Sequence, residues 1–309
     1  MAESSGSRIG RYRVLEPIGS GGFATVYRAM DDRLATEVAI KVLADNHSLV
    51  PESRERFIAE AQHLRRVHNA SVATLYDLGE TDAGQPYMVL GLADRGDLST
   101  RINDVWEEGH ALSAGDLMVL VEMLADSLSA VHAAGLVHRD VTPKNVLVQH
   151  GSPNNWPDDV WLLDQDERLV LCDLGYAKDL RMASGITSGG GTAGFAAPEQ
   201  RDSVSMVDFR ADIYGATAVL AWAASKGGHA SYLSDFVAIG KAHDPEDRYE
   251  DMFEWRDEAL AALRGHRVGF GGSKRKSVSE PAPRSSRLVV VGVALLFAVL
   301  VVLAVSLSR

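Results

Sequence analysis

Cysteine is almost missing from this 309-residue chain: Cys172 is the only one, so no intramolecular disulfide can form. That usage fits a reducing compartment. Positive charge is short as well, with 31 Lys and Arg against 42 Asp and Glu, a formal charge of −11. The balance argues against a nucleic-acid partner. The ten histidines are scattered without metal-ligand spacing and read as surface or core residues. No internal repeat is present. Residues Met1 to Ser7 contain no apolar run, so a secretory leader is not expected. A hydrophobic content of 46% is ordinary for a globular protein and excludes a mainly disordered chain.

The acidic charge is unevenly spread. Arg264 to Arg309 carries eight basic residues and one acid, Glu280, which leaves 23 basic and 41 acidic residues in the body. Within that tail, Leu288 to Leu307 is an unbroken apolar or small-residue run. Twenty residues at helical rise span about 30 Å, the thickness of a bilayer core. A buried soluble helix is the competing reading, but this run is apolar on every side and follows a polar linker. Lys274, Arg275, Lys276, Arg284 and Arg287 precede it and only Arg309 follows. The positive-inside rule therefore places the large N-terminal part in the cytoplasm and the last two residues outside. The same cations suit anionic headgroups, although topology signalling alone accounts for them.

Arg11 to Leu92 reads as strand-rich. Tyr12–Ile18, Thr25–Ala29 and Glu37–Leu43 look like strands, and Pro86–Leu90 is a short apolar one. Between them Pro51 to His68 has helical spacing, with Phe57, Ile58, Ala61 and Leu64 on one face. Residues 93–263 are mostly helical. Ser113 and Asp116 form a candidate capping box for a helix that closes at Gly135. Short strands follow at Val146–Val148 and Leu169–Leu171. Between them Gln149 to Arg168 is longer than a tight strand connection needs. Ile213 to Ala224 reads as a buried helix, and residues 264–287 as a basic linker. The expected division is a tail at 1–10, units at 11–92 and 93–263, the linker, the apolar span at 288–307 and a two-residue end.

Chemistry concentrates in a few motifs. Gly19-Ser20-Gly21-Gly22 lies between two strand-like runs, where backbone N–H groups can approach phosphates. The strand-turn-strand context argues against a dinucleotide-binding turn, and no Gly-Lys-Ser/Thr ending is present, which excludes a P-loop. Lys41 sits on a strand after Val38-Ala39-Ile40. Alone it reads as a snorkelling side chain, but Glu60 lies beside the apolar face of the following helix, where the two could pair. Glu52 and Glu55 are the alternatives, nearer the helix start. The most specific set is Asp140, then Asn145 five residues later, then Asp173-Leu174-Gly175 after the next strand. Phosphoryl transfer from ATP uses such a set: one carboxylate orients the attacking hydroxyl, while an Asn and a second carboxylate hold the metal. Cys172, just before Asp173, reads as a small hydrophobe; a reactive thiol requires exposure to the pocket.

With these motifs, the sequence from about Arg11 to Leu263 resembles the bacterial transmembrane serine/threonine protein kinases of the eukaryotic-like type. The likeness also rests on Phe57-Ile58-Ala59-Glu60-Ala61, Ala197-Pro198-Glu199-Gln200, Asp208 to Tyr214, and Asp244-Pro245-Glu246-Asp247-Arg248. The resemblance implies an α+β, bilobal protein kinase fold plus one C-terminal transmembrane helix. It implies transfer of the ATP γ-phosphoryl group to Ser or Thr of protein substrates with Mg²⁺ or Mn²⁺, and self-association for autophosphorylation. Asp140 would be the base, and Asn145 and Asp173 would hold metal. Lys41, braced by Glu60, would touch the α- and β-phosphates. Ile18, Gly19, Ser20, Gly21, Gly22, Val26, Ala39, Met88, Leu90 and Leu92 would surround the nucleotide. Glu199 and Arg248 would form a buried ion pair. Thr187 and Ser188 are the phosphorylation candidates in a segment that also holds Ser184 and Thr192, with Thr192 expected to have a structural role near Asp140; an unmodified loop is the alternative.

Two features depart from the family pattern. Thr142 stands where such kinases carry a Lys that neutralises the γ-phosphate, and Lys144 is the nearest candidate substitute. The segment Ser225–Ala230 is shorter than the family's usual connection there. A pseudokinase scaffold at the membrane is the alternative that these departures raise.

Overall fold

The structure is a computed structural model. It describes residues 7–151, 154, 156–174, 178–179, 194–200 and 207–265. Gly175, the candidate phosphorylation sites, residues 266–287 of the linker and the apolar run at 288–307 lie outside the described residues. Among the described residues, no helix is long and apolar enough to cross a membrane.

The N-terminal part is one antiparallel sheet with a helix against it. Strands β1 (Arg8–Ile9), β2 (Tyr12–Ser20), β3 (Ala24–Asp31), β4 (Thr36–Leu43), β5 (Leu75–Glu80) and β6 (Pro86–Gly91) lie in the order β1-β2-β3-β4-β6-β5. In β4 the alternation puts Val38, Ile40 and Val42 into one apolar cluster with Tyr12, Val14 and Tyr27. Ala39 and Lys41 therefore face the other way. The register sets Val26 opposite Lys41 and Lys41 opposite Met88. A short helix α1 (Asp45–Ser48) leads into α2 (Pro51–Arg66), which has Pro at its first turn and buries Phe57, Glu60, Ala61 and Leu64. These apolar residues pack with Met88, Val131, Leu136 and Leu174, so α2 rests on both the sheet and the helical part.

The second part is built on α3 (Leu98–Glu107), α4 (Ala114–Ala133), α5 (Arg210–Gly227), α6 (Ser234–Gly240) and α7 (Met252–Leu263). The Ser113–Asp116 capping box is present at the start of α4. A short strand, β7 (Leu136–Val137), and the hairpin of β8 (Val146–His150) with β9 (Glu167–Leu171) bracket the chemistry-bearing loop. α5 is buried nearly all round. Its Thr217 hydroxyl donates to the Ile213 carbonyl and accepts from Trp255 Nε1 at 2.9 Å. A Cβ on Gly240 would lie 2.2 Å from that Thr217 oxygen, so only glycine lets α6 approach so closely. The short connection after α5 closes through Gly228 in the left-handed region, and His229 Nε2 meets the Leu112 carbonyl at 3.1 Å. The missing segment is thus replaced by a tight turn against the loop before α4.

Arg248 is 1% exposed and joins Glu199 through two bonds of 2.6 and 2.8 Å. It also donates to the carbonyls of Ala242 and Arg210. A guanidinium so buried persists because each donor meets an oxygen; losing one partner strands the other charge. Arg248→Ala should lower the unfolding free energy by about 3–5 kcal/mol in urea denaturation. Glu199→Gln should cost less, because the amide oxygen still accepts one bond. Equal, sub-1 kcal/mol effects (roughly those of a surface pair) would show that the pair is not a brace.

Candidate active site

The loop from His138 to Asn145 takes its shape from a carboxylate far away in sequence. Asp212, on the first turn of α5 and 1% exposed, accepts the backbone N–H groups of His138 at 2.8 Å and Arg139 at 2.7 Å. His132 Nε2 meets the same carboxylate at 2.8 Å. Burial acts to raise the Asp212 pKa, but His132 and the Arg139 N–H outweigh it and hold the carboxyl below its ordinary value. These bonds support Arg139 at φ +71°, a left-handed conformation that costs a non-glycine residue. From the other side, Gln200 Nε2 donates to the Arg139 carbonyl at 2.6 Å, which ties the Ala-Pro-Glu segment to the loop.

With the loop so held, Asp140 and Asn145 meet. Asn145 Nδ2 donates to the Asp140 carbonyl at 2.8 Å and to its carboxylate at 3.0 Å. The backbone N–H of Cys172 bonds the Asn145 carbonyl, and His138 Nε2 meets the Cys172 carbonyl at 3.0 Å. The strand ahead of Asp173 is therefore fastened to the loop. Asp173 itself has φ +64°. Across the cleft, Lys41 Nζ reaches both Glu60 oxygens at 2.7 and 2.9 Å and lies 3.8 Å from Asp173. Desolvation pulls the Lys41 pKa down, but the two facing carboxylates outweigh it, so the ammonium is retained. Burial pushes the Glu60 carboxyl up against the pull of Lys41. Contact with both oxygens is the geometry of an ionised pair. Glu52 and Glu55 are exposed.

A cavity of about 200 Å³ lies between these groups. Ile18, Val26, Ala39, Lys41, Glu60 and Leu90 line one side, and Asn145, Leu147, Val170, Cys172 and Asp173 the other. Burial pushes the Cys172 thiol pKa far up, so it stays protonated and inert although it borders the cavity. Several expected residues do not line this cavity. Met88 is fully buried in the apolar cluster beneath α2. Leu92 is not among the lining residues, although Leu90, Gly91 and Ala93 are. Gly19 and Ser20 end β2, and Gly21 and Gly22 form the turn after it, closed by Gly21 N to Ala24 O at 3.0 Å; all four are exposed. A Cβ on Gly22 would touch nothing, so the fold itself does not demand that glycine. Thr142 is 3% exposed, and Lys144 is exposed. Lys144 therefore does not replace the missing charge in this conformation: Pro143 starts a 3-10 turn that carries it outward.

Asp212, Gln200 and His138 belong to motifs that carry the family resemblance, but the sequence assigns them no role of their own, and Leu147 reads only as a strand residue. Asp212→Ala should strand two buried N–H groups and cost about 3 kcal/mol in chemical denaturation. The sign with pH follows from the lowered pKa: the contribution is complete above the unfolded value of about 4 and fades as pH falls below it. Unfolding midpoints measured from neutral pH into acid should therefore fall less steeply below about pH 4 in Asp212→Asn than in wild type.

Comparison with known proteins agrees with this geometry. The protein kinase domain family matches residues 12–229. The DNA damage-responsive serine/threonine-protein kinase RqkA of Deinococcus radiodurans is 36% identical over 214 residues, covering 68% of this chain and 29% of that protein. PknL of Mycobacterium tuberculosis is 34% identical over 208 residues, covering 66% and 46%. PknF of the same species is 27% identical over 345 residues, covering 100% and 68%. The chain thus spans less than half the length of the first two relatives. The solved kinase domain of Mycobacterium tuberculosis PknI shares the fold, with a TM-score of 0.63 at 24% identity, covering 85% of this chain and all of that domain. The chain belongs to the protein kinase domain family, and its relatives are bacterial, eukaryotic-like serine/threonine kinases.

Proposed function

We propose that this protein is a membrane-anchored serine/threonine kinase that transfers the ATP γ-phosphoryl group to protein hydroxyls. The observation that carries the reading is the assembled pair of Lys41 and Glu60 facing Asp173 across the cleft, with Asp140 and Asn145 beside it. Lys41, kept cationic, would bind the α- and β-phosphates. Asp140 would orient the substrate hydroxyl and take its proton as the oxygen–phosphorus bond forms and the bond to ADP breaks. The apolar walls formed by Ile18, Val26, Ala39, Leu90 and Leu147 would hold the base.

The donor set suits Mg²⁺ or Mn²⁺. Asn145 uses its nitrogen on Asp140, which leaves its amide oxygen for a cation, and Asp173 adds a carboxylate. Two hard oxygen ligands completed by phosphates and water are the usual protein share at such a site. A bound cation there neutralises the phosphate charge. Among the described residues no cluster of three His, Cys, Asp or Glu offers an all-protein cage.

Residues 288–307 would cross the membrane once, leaving the kinase part cytoplasmic. Neighbouring copies in the bilayer would favour autophosphorylation. Thr142 and the outward Lys144 support a second reading, a scaffold that binds nucleotide with little turnover. Mg-ATP-dependent labelling separates the two. Wild type should label itself or a protein substrate, while Lys41→Met and Asp140→Asn should each lose about 100-fold or more. Background labelling by all three, together with a nucleotide-induced rise in Tm, would establish the scaffold. Thr142→Lys should raise the rate about tenfold, the value of one added charge-assisted bond. Removal of residues 288–309 should release the protein from carbonate-washed membranes.

A further inference from the structure

A second cavity, of about 850 Å³, lies on the outer face of α4, away from the phosphotransfer cleft. One wall is α4 itself, with Met118 and Val119; another is α7, with Phe253 and Leu260. The third is the long connection between β8 and β9, represented by Trp156 and Leu163. That connection is held in place. Asp116 accepts the N–H groups of Trp161 and Leu162, both at 2.7 Å, and a Cβ on Gly115 would lie 3.0 Å from the Asp159 carboxylate. The volume falls within the range of small-molecule sites.

The polar atoms around this apolar space are mismatched. Among the described residues, Trp156 Nε1, Arg168 Nε and Ser129 Oγ are buried without a hydrogen-bond partner, and all three residues line the cavity. Buried donors are rarely left so, because each forgoes a water without gaining an acceptor. Arg168 adds a charge. Its Nη2 donates to the neutral Gln149 amide at 3.2 Å, and it makes no ion pair among the described residues. The other charges at the lining are placed otherwise: Arg256 binds Asp257 at 2.8 Å, Asp126 accepts from Ser71 at 2.8 Å, Glu122 is exposed beside Arg256, and Arg264 has an interaction of its own. An unneutralised guanidinium and two further donors beside an apolar chamber call for one kind of molecule.

We infer that this cavity binds a single-chain amphiphile, with its carboxylate on Arg168 and Trp156 and its hydrocarbon chain between α4 and α7. The site is independent of the phosphotransfer cleft. The full chain in phospholipid nanodiscs tests it, through quenching of tryptophan fluorescence by bromoundecanoate, with bromoundecanol as the uncharged probe. Expected are saturable quenching by the acid in the micromolar range, loss of most of that signal in Trp156→Phe, and at least tenfold weaker binding in Arg168→Gln. Arg168→Lys, which keeps the charge, should retain most of the affinity. Val119→Phe, on a half-exposed helix position, should fill the chamber and abolish binding with an unchanged Tm. Linear quenching that is identical in all variants, or equal affinity for the alcohol, would overturn the inference. A dimer in light scattering that Val119→Phe dissociates would also overturn it, by showing a second copy as the occupant.

Discussion

A buried carboxylate without chemistry of its own holds the rest of this site in place. Asp212 projects from the first turn of α5 and fixes two consecutive N–H groups of the catalytic loop. Backbone at φ +71° is costly for arginine, and a carboxylate bonded to the flanking amides is what makes it persist. With Arg139 so turned, Asp140 and Asn145 come within 3.0 Å and the Arg139 carbonyl is available to Gln200. One helix end thereby sets Asp140, the Asn145 amide and the segment that leads to Glu199.

The two parts of the fold contribute unlike groups to one cleft. The sheet and α2 supply a cation locked to Glu60; the helical part supplies Asp173, Asp140 and Asn145. The apolar cluster shared by Met88, Phe57, Leu64, Val131 and Leu174 keeps these halves in register. Buried charges are costly on their own, so the Lys41–Glu60 and Arg248–Glu199 pairs tie position to chemistry: each holds only while both partners stay in place.

Much of this was legible from local pattern. The alternation along β4 told which residues share a face with Lys41, and the Ser113–Asp116 box marked the start of α4. Glu60 was preferred to Glu52 and Glu55 because it borders an apolar stripe, and burial separates them in just that way. Other features depended on contacts that no spacing reveals. Met88 was expected at the nucleotide but packs under α2, because α2 crosses the strand there. Lys144 was the candidate to replace the charge lost at Thr142, yet the turn begun by Pro143 directs it outward. The polar connection from Gln149 to Arg168 looked like a mere excess of loop. Asp116 and the close approach of Gly115 and Asp159 make it one wall of a cavity.

The sequence alone singled out the candidate groups, because their order and spacing reflect local turns and strand ends: Lys41 on a strand, Asp140 five residues before Asn145, and Asp173 after the next strand. It also determined the secondary elements with a clear local periodicity, such as β4, α2 and α4, but not β5, α3 or α7. Only the tertiary structure decided which buried partners hold those groups. Asp212 is 73 residues from Arg139, and Gln200 is 61 from the same residue. Such pairings are settled by the packing of α5 and the segments around it, which no window of sequence contains.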